Sequence, residues 1–173
     1  MTSQTGTDSG GALTTHTDFI VVGSGVAGLW TALHLAREGR VALLTKDCLR
    51  ESNTYYAQGG IAVALSTKDS SESHLEDTVA AGAGLVDLPA AEVLTYEAPQ
   101  AIADLMDAGA EFDRNGGQLL LGRAAAHQHR RIIHAHGDAT GAEVERALIE
   151  AVRTTDSIDI YEEVMAVRLL VAN

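Results

Sequence analysis

The period of the apolar positions changes several times along the chain, and the first change is the most informative. Phe19-Ile20-Val21-Val22 is a short unbroken apolar run, the pattern of a buried strand in a parallel sheet. Glycines at 23, 25 and 28 follow at once. Val26, Leu29, Trp30, Leu33 and Leu35 then fall near helical spacing in a segment from Val26 to Glu38, and Gly39 offers a left-handed stop. Val41-Ala42-Leu43-Leu44 is a second buried strand, so the three pieces predict a β-α-β unit.

Leu49 to Gly60 has neither period and reads as an ordered loop. A helix is expected from Ser73 to Ala81, with Ser73 as N-cap and Glu76 three residues on in a capping-box arrangement. A longer one runs from Pro89 or Ala90 to Ala108, stopped by Gly109 and broken or kinked at Pro99. Gly116-Gly117 marks a turn, Gln118 to Leu121 a short strand, and Arg130 to His134 an extended piece facing it. Thr140 to Arg153 is amphipathic, with Val144, Ala147, Leu148 and Val152 on one side. Ile158 to Tyr161 and Ala166 to Val171 read as closing strands.

Composition narrows the class. The 173 residues, 46% of them apolar, match one domain near ~150 residues with enough apolar surface for a core. Against 24 acidic residues stand 12 basic ones, and the net charge of −12 argues against general affinity for nucleic acid or anionic lipid. A local phosphate site built from backbone amides is compatible with that charge. The single cysteine, Cys48, suits a reducing compartment and reads as a small packing residue after the second strand. Residues 1–17 are rich in Thr, Ser and Gly, with no basic start and no apolar run of about seven, and read as a disordered tail. No stretch approaches the ~20 apolar residues of a membrane helix, and the expected location is the cytoplasm.

Three segments carry candidate chemistry. In Gly23-Ser24-Gly25-Val26-Ala27-Gly28, Gly23 permits the tight turn, Gly25 the approach of a pyrophosphate, and Gly28 close packing of helix on strand. The pyrophosphate would rest on the amides and positive dipole of the helix N-terminus. The acid that usually follows the second strand to bind ribose is absent, since Thr45-Lys46 stands there and Asp47 comes late. Lys46 faces the adenosine ribose or a phosphate, or is a solvated strand-end lysine. In the second segment, Ser52 to Ala62, hydroxyl and amide side chains beside Gly59-Gly60 can serve a flat heterocycle; a polar surface loop is the plainer reading. The third, Arg123 to Gly141, gathers His127, His129, His134 and His136 with Arg130 and Arg131. It reads as an anion patch or a solvated basic turn; without cysteines or ligand spacing, no metal is expected.

Taken together, TDFIVVGSGVAGLWTALHLA, LLTK, SNTYYAQGGIAVAL, SHLEDTVAAGAGLVD and HRRIIHAHGDATGAEV resemble the L-aspartate oxidases, flavoproteins of the succinate dehydrogenase and fumarate reductase superfamily. The AQGGIA and HRRIIHAxGDATG segments are far more specific than the glycine motif. The resemblance runs from about Thr17 onward and implies an α/β, doubly wound Rossmann-like FAD-binding domain over 18–173, incomplete at its C-terminus. Gly82 to Ala139 would form excursions towards the substrate side. It implies oxidation of L-aspartate to iminoaspartate, and as partner L-aspartate or a related dicarboxylate. Hydride passes to the flavin, and dioxygen or fumarate reoxidises it. The product would pass to quinolinate synthase in the de novo route to NAD.

By position, the resemblance puts Ser24, Gly25, Val26 and Ala27 on the FAD pyrophosphate and Lys46 near the adenosine ribose. It lines the flavin and ribityl chain with Asn53, Thr54, Tyr55, Tyr56, Ala57, Gln58, Gly59 and Gly60, and the adenine with Met165 and Ala166. Asn53 stands where the membrane-complex relatives carry the histidine joined to FAD, so the cofactor is expected to be non-covalent. Ala124 replaces a family glutamate close to the substrate's amino group. His127 and Arg130 are the nearest candidates for substrate contact, and no residue is assigned as the catalytic base. Two other readings are a fumarate reductase or succinate dehydrogenase-like flavoprotein, and a truncated, non-catalytic dinucleotide-binding module.

Overall fold

A computed structural model describes residues 6–7, 13–14 and 16–171. Within the segment read as a disordered tail, β1 (Gly6–Thr7) pairs antiparallel with β2 (Leu13–Thr14). The chain divides into two compact units, one of residues 1–49 and 152–173, the other of residues 50–151.

The first unit is built on a parallel three-stranded sheet. β3 (Phe19–Val22), α1 (Val26–Leu35) and β4 (Val41–Leu44) form the expected β-α-β unit, and β9 (Ile158–Tyr161) pairs with the far side of β4. Register places Phe19, Val41 and Ile158 side by side at one end and Val22, Leu44 and Tyr161 at the other. Val41 and Leu43 of the central strand are fully buried, as are Leu29 and Ala32 of α1, which packs on β3 and β4. β3 departs from the expected two-sided burial: Val21 is buried, but Ile20 and Val22, which alternate with it and so lie on the opposite face of this edge strand, are 65% and 63% exposed. Helix α1 ends at Ala36 in right-handed conformation, before Gly39. Gly39 serves clearance and not a left-handed stop, since a Cβ there would lie 2.6 Å from Asp18 Oδ2, which accepts the Arg40 amide at 2.8 Å.

The second unit carries α2 (Ser71–Ala81) packed against α3 (Leu88–Asp107). The cap of α2 is Ser70, not Ser73. Ser70 is extended and its Oγ accepts the Ser73 amide at 3.1 Å, while Ser73 Oγ accepts from Arg131 at 3.3 Å. Asp87 caps α3 through the Ala90 amide. Pro99 lies inside α3 without ending it, and Gly109, at φ +98°, follows the helix as the expected stop. Buried Thr95, whose carbonyl loses its usual donor to Pro99, sends its hydroxyl to the Ala91 carbonyl at 2.9 Å.

Gln118–Leu119 (β7) folds back on Arg114–Asn115 (β6) across Gly116-Gly117, both at positive φ. The expected pairing with the Arg130–His134 segment is reduced to one bridge, Gly122 with Ile132. Ile132–Ile133 (β8) pairs instead with Ile61–Ala62 (β5). Helix α4 (Thr140–Arg153) has the expected bounds, and Val144, Ala147, Leu148 and Val152 are all buried. Ala166 to Val171 forms no strand; it pairs with no strand among the described residues, and Leu169 and Leu170 are exposed.

Candidate cofactor site

In the first unit the candidate residues gather at the carboxyl ends of the parallel strands, where open α/β sheets bind ligands. The glycine turn leaves β3, Thr45-Lys46 follows β4, and Met165-Ala166 comes shortly after β9. Gly23, at φ +106°, donates its amide to the Leu44 carbonyl at 2.8 Å and starts the turn in a conformation that favours glycine. A Cβ on Gly28 would strike the Gly23 carbonyl, so helix and strand meet this closely only with glycine.

Gly25 is the extended N-cap of α1; among the described residues it makes no side-chain capping hydrogen bond, and the first turn of the helix carries no acid. An anion therefore meets no carboxylate in that turn, and the glycine-capped helix start fits a pyrophosphate. Val26 and Ala27 are exposed at this end. Ser24 is different: it is buried, with Oγ 2.9 Å from Thr45 Oγ1, so its hydroxyl braces the turn and only its backbone remains for a ligand. Thr45 also donates its amide to the Tyr161 carbonyl and accepts from the Val164 amide, both at 2.9 Å. That one residue joins all three strand ends. Lys46, Met165 and Ala166 are exposed beside it.

In the second unit the loop from Ser52 to Gly60 is held against α4. The Ala57 amide donates to the Thr54 carbonyl at 3.1 Å, and Ala57 accepts the Gly141 amide at 3.0 Å. Any side chain at Gly141 would run into the Thr54 and Ala57 carbonyls. Asn53, Tyr56, Ala57, Gln58 and Gly59 are exposed, and the Tyr55 and Tyr56 rings meet edge to face at 5.3 Å. Tyr55, Tyr56, Ala57 and Gln58 share a cavity of about 450 Å³ with Asp138, Ala139 and Ala142. The paired glycines differ: Gly59 has open space where a Cβ would be, whereas Gly60 is packed on Ile132, Ile133 and His134. Open, polar and glycine-bearing, this loop fits the edge of a flavin.

The histidine-rich segment does not act as one basic patch. Arg131 is fully buried: Nε and Nη2 donate to Asp69 at 3.0 and 2.8 Å, and Nη1 lies 3.2 Å from Asp77 Oδ2. Its charge is met within the protein, which removes it from the expected anion patch. Burial pushes Asp77 up, but Gln128, donating through backbone and side-chain amides at 2.8 Å, and the Arg131 charge hold it below the usual carboxylate range. His74 is pushed down by burial, then by the Arg131 and His127 charges. His127 is half-buried, its Nδ1 3.9 Å from Asp77 Oδ2, and its ring lies 5.6 Å from that of His74. Arg130 is exposed, as are Ala124 and His136. Among the described residues no three His, Cys, Asp or Glu groups converge as a metal site.

Asp69, Asp77, Asp113, Gly141 and Glu145 went unread in the sequence. Asp113 accepts the His136 and Gly137 amides at 2.9 and 3.1 Å and holds His136 at φ +51°. Of these only Gly141 has a local signal, the GDATG segment leading into an amphipathic helix.

A parallel sheet with a glycine turn at its carboxyl edge defines a dinucleotide-binding fold. The chain belongs to the FAD binding domain family, whose model matches residues 18–173, and its cofactor is FAD. It is 48% identical over 158 residues to the chloroplastic L-aspartate oxidase of Arabidopsis thaliana, covering 91% of this chain and 24% of that protein. With the L-aspartate oxidase of Streptomyces coelicolor the identity is 51% over 138 residues, 79% of this chain and 24% of the other. The chain thus spans about a quarter of the length of such relatives. Among solved structures, a chain of an E. coli quinol fumarate reductase matches with a TM-score of 0.80 at 27% identity, covering 85% of this chain and 26% of that one. The Mycobacterium smegmatis Sdh1 complex gives 0.76 at 34% identity, covering 85% and 27%.

Proposed function

We propose that this chain is the FAD-holding part of an L-aspartate oxidase. The observation that carries the reading is the glycine-capped, acid-free N-terminus of α1 behind the Gly23–Gly28 turn, in a chain close to half identical to proteins of that name. Backbone amides of Ser24, Gly25, Val26 and Ala27 would hold the pyrophosphate. Lys46 would lie by the adenosine ribose and Met165-Ala166 by the adenine, while Asn53 to Gly60 would line the flavin. Asn53 has no nucleophilic ring nitrogen, so FAD is held without a covalent link. FAD, when bound, supplies the two-electron acceptor for substrate oxidation. The substrate is L-aspartate, oxidised to iminoaspartate, with dioxygen or fumarate as terminal acceptor. Iminoaspartate would be consumed by quinolinate synthase on the route to NAD, in the cytoplasm. His127 and Arg130 are the residues nearest to a role at the substrate.

Ala124 favours a second reading. Where the resemblance calls for a glutamate beside the substrate ammonium, the chain has an exposed methyl group, which is compatible with a dicarboxylate lacking an amino group. The substrate would then be of the succinate or fumarate kind. Titration of the chain with FAD tests the core of the proposal: a visible flavin spectrum should appear with the protein and withstand gel filtration and be lost in Gly25→Glu, which places an acid at the pyrophosphate. Absence of bound flavin in the unaltered chain sinks it. In the longer protein, anaerobic bleaching by aspartate but not succinate separates the two readings.

A further inference from the structure

Glu145 sits one helical turn beyond Gly141 on α4, on the face that holds the Ser52–Gly60 loop. Its side chain is fully buried. Ser52 Oγ donates to Glu145 Oε1 at 2.8 Å and in turn accepts the Tyr55 amide at 3.3 Å. The helix therefore grips the loop twice, at Ala57 through Gly141 and at Ser52 through Glu145. Among the described residues no cation pairs with Glu145, and its Oε2 has no hydrogen-bond partner.

We propose that Glu145 is a positioning residue for the cofactor loop, fixing the Ser52–Tyr55 turn through Ser52 Oγ and so setting where Asn53 and Thr54 meet the flavin. The inference rests on the reading of Asn53–Gly60 as the flavin lining. A buried carboxyl group without a countercharge is favoured as the neutral acid, and burial does push Glu145 up. In that form it accepts from Ser52 without bringing a negative charge beside a cofactor that becomes more electron-rich on reduction. An apolar side chain of similar size would avoid the cost of the unpartnered Oε2. What it would lose is the hold on Ser52, which makes the group's role one of placement and not of stability.

Four proteins test this: the unaltered chain, Glu145→Gln, Glu145→Leu and Ser52→Ala. The readouts are the FAD dissociation constant, the shape of the bound flavin's visible band, and the thermal midpoint without FAD. Glu145→Leu should keep or raise the thermal midpoint, yet bind FAD about tenfold more weakly with an altered band. Ser52→Ala should reproduce the change in affinity and band, and Glu145→Gln, which still accepts from Ser52, should restore both to the unaltered values. If Glu145→Leu does not fold, Ser52→Ala decides by the same two flavin readouts. Unchanged affinity and band in the folded variants overturn this inference alone. Failure of the unaltered chain to bind FAD overturns the loop's assignment and this inference together.

Discussion

Arg131 shows how a side chain can be basic in sequence and neutralised in structure. Its guanidinium makes two parallel hydrogen bonds to Asp69 and stands beside Asp77, all within the second unit and away from water. Desolvating three ionised groups is expensive, and the arrangement is tolerable only while every charge has its partner. Removing the cation alone should be far worse than its net contribution suggests. Arg131→Met should cost ~3–5 kcal/mol in urea unfolding, because both carboxylates stay behind. Arg131→Lys should recover little, since a point charge cannot reproduce the two-pronged contact. A loss below ~1 kcal/mol for Arg131→Met would mean that the carboxylates escape to solvent and the network is incidental.

Elements were legible in proportion to how local their signals are. Phe19–Val22 and Val41–Leu44 are apolar runs bounded by polar or glycine residues, and Thr140–Arg153 carries its own apolar stripe; each has the expected bounds. Ala166–Val171 has the same apolar character but no neighbour to pair with among the described residues, and composition alone does not supply one. Helix α2 starts at Ser71, earlier than the capping-box spacing of Ser73 and Glu76 predicts. Ser70 precedes Ser73 by one helical turn and its Oγ accepts the Ser73 amide, while Ser73 Oγ instead accepts from Arg131, distant in sequence. Ser70→Ala should therefore lower stability by ~1 kcal/mol, and Ser73→Ala by less, in paired urea titrations. The reverse order would return the cap to Ser73. At the candidate site the glycine turn was readable because steric demands at Gly23 and Gly28 are written in residue type. Glu145, Asp69 and Asp113 were not, as each acquires its role from a partner that only folding brings near.

Across the whole molecule, the buried ionisable groups set opposing pH dependences. Arg146 donates to Glu143 and, against the opposing effect of burial, holds it below the carboxylate range; Asp77 is also held low. Their contribution is complete above the unfolded carboxylate pKa near ~4 and is lost as pH falls through the depressed native values. His74, kept neutral by burial, acts in the same sense: its contribution is present above ~6.5 and lost as pH falls through its lowered native pKa. Glu145 has the opposite sign. Its contribution is complete below ~4.3 and lost as pH rises through its raised native value. Urea midpoints measured over pH should rise from acid towards neutrality and then be held back by Glu145, with slopes of at most ~1.4 kcal/mol per pH unit for each group. Glu145→Gln should remove the restraint on the upper side while leaving the acid limb in place; a matching loss of the acid limb would contradict the assignment. The central strand has a further consequence, for the order of events in folding. Val41 pairs with Phe19 on one side and with Ile158 on the other, so the second pairing closes a loop that contains the entire 50–151 unit. The entropy of that closure must be met before the pairing returns any stability, so local helices and hairpins form early and β9 docks late. During synthesis residues 50–151 emerge before β9, so the pairing of β9 with β4 waits until residues 158–161 have left the ribosome.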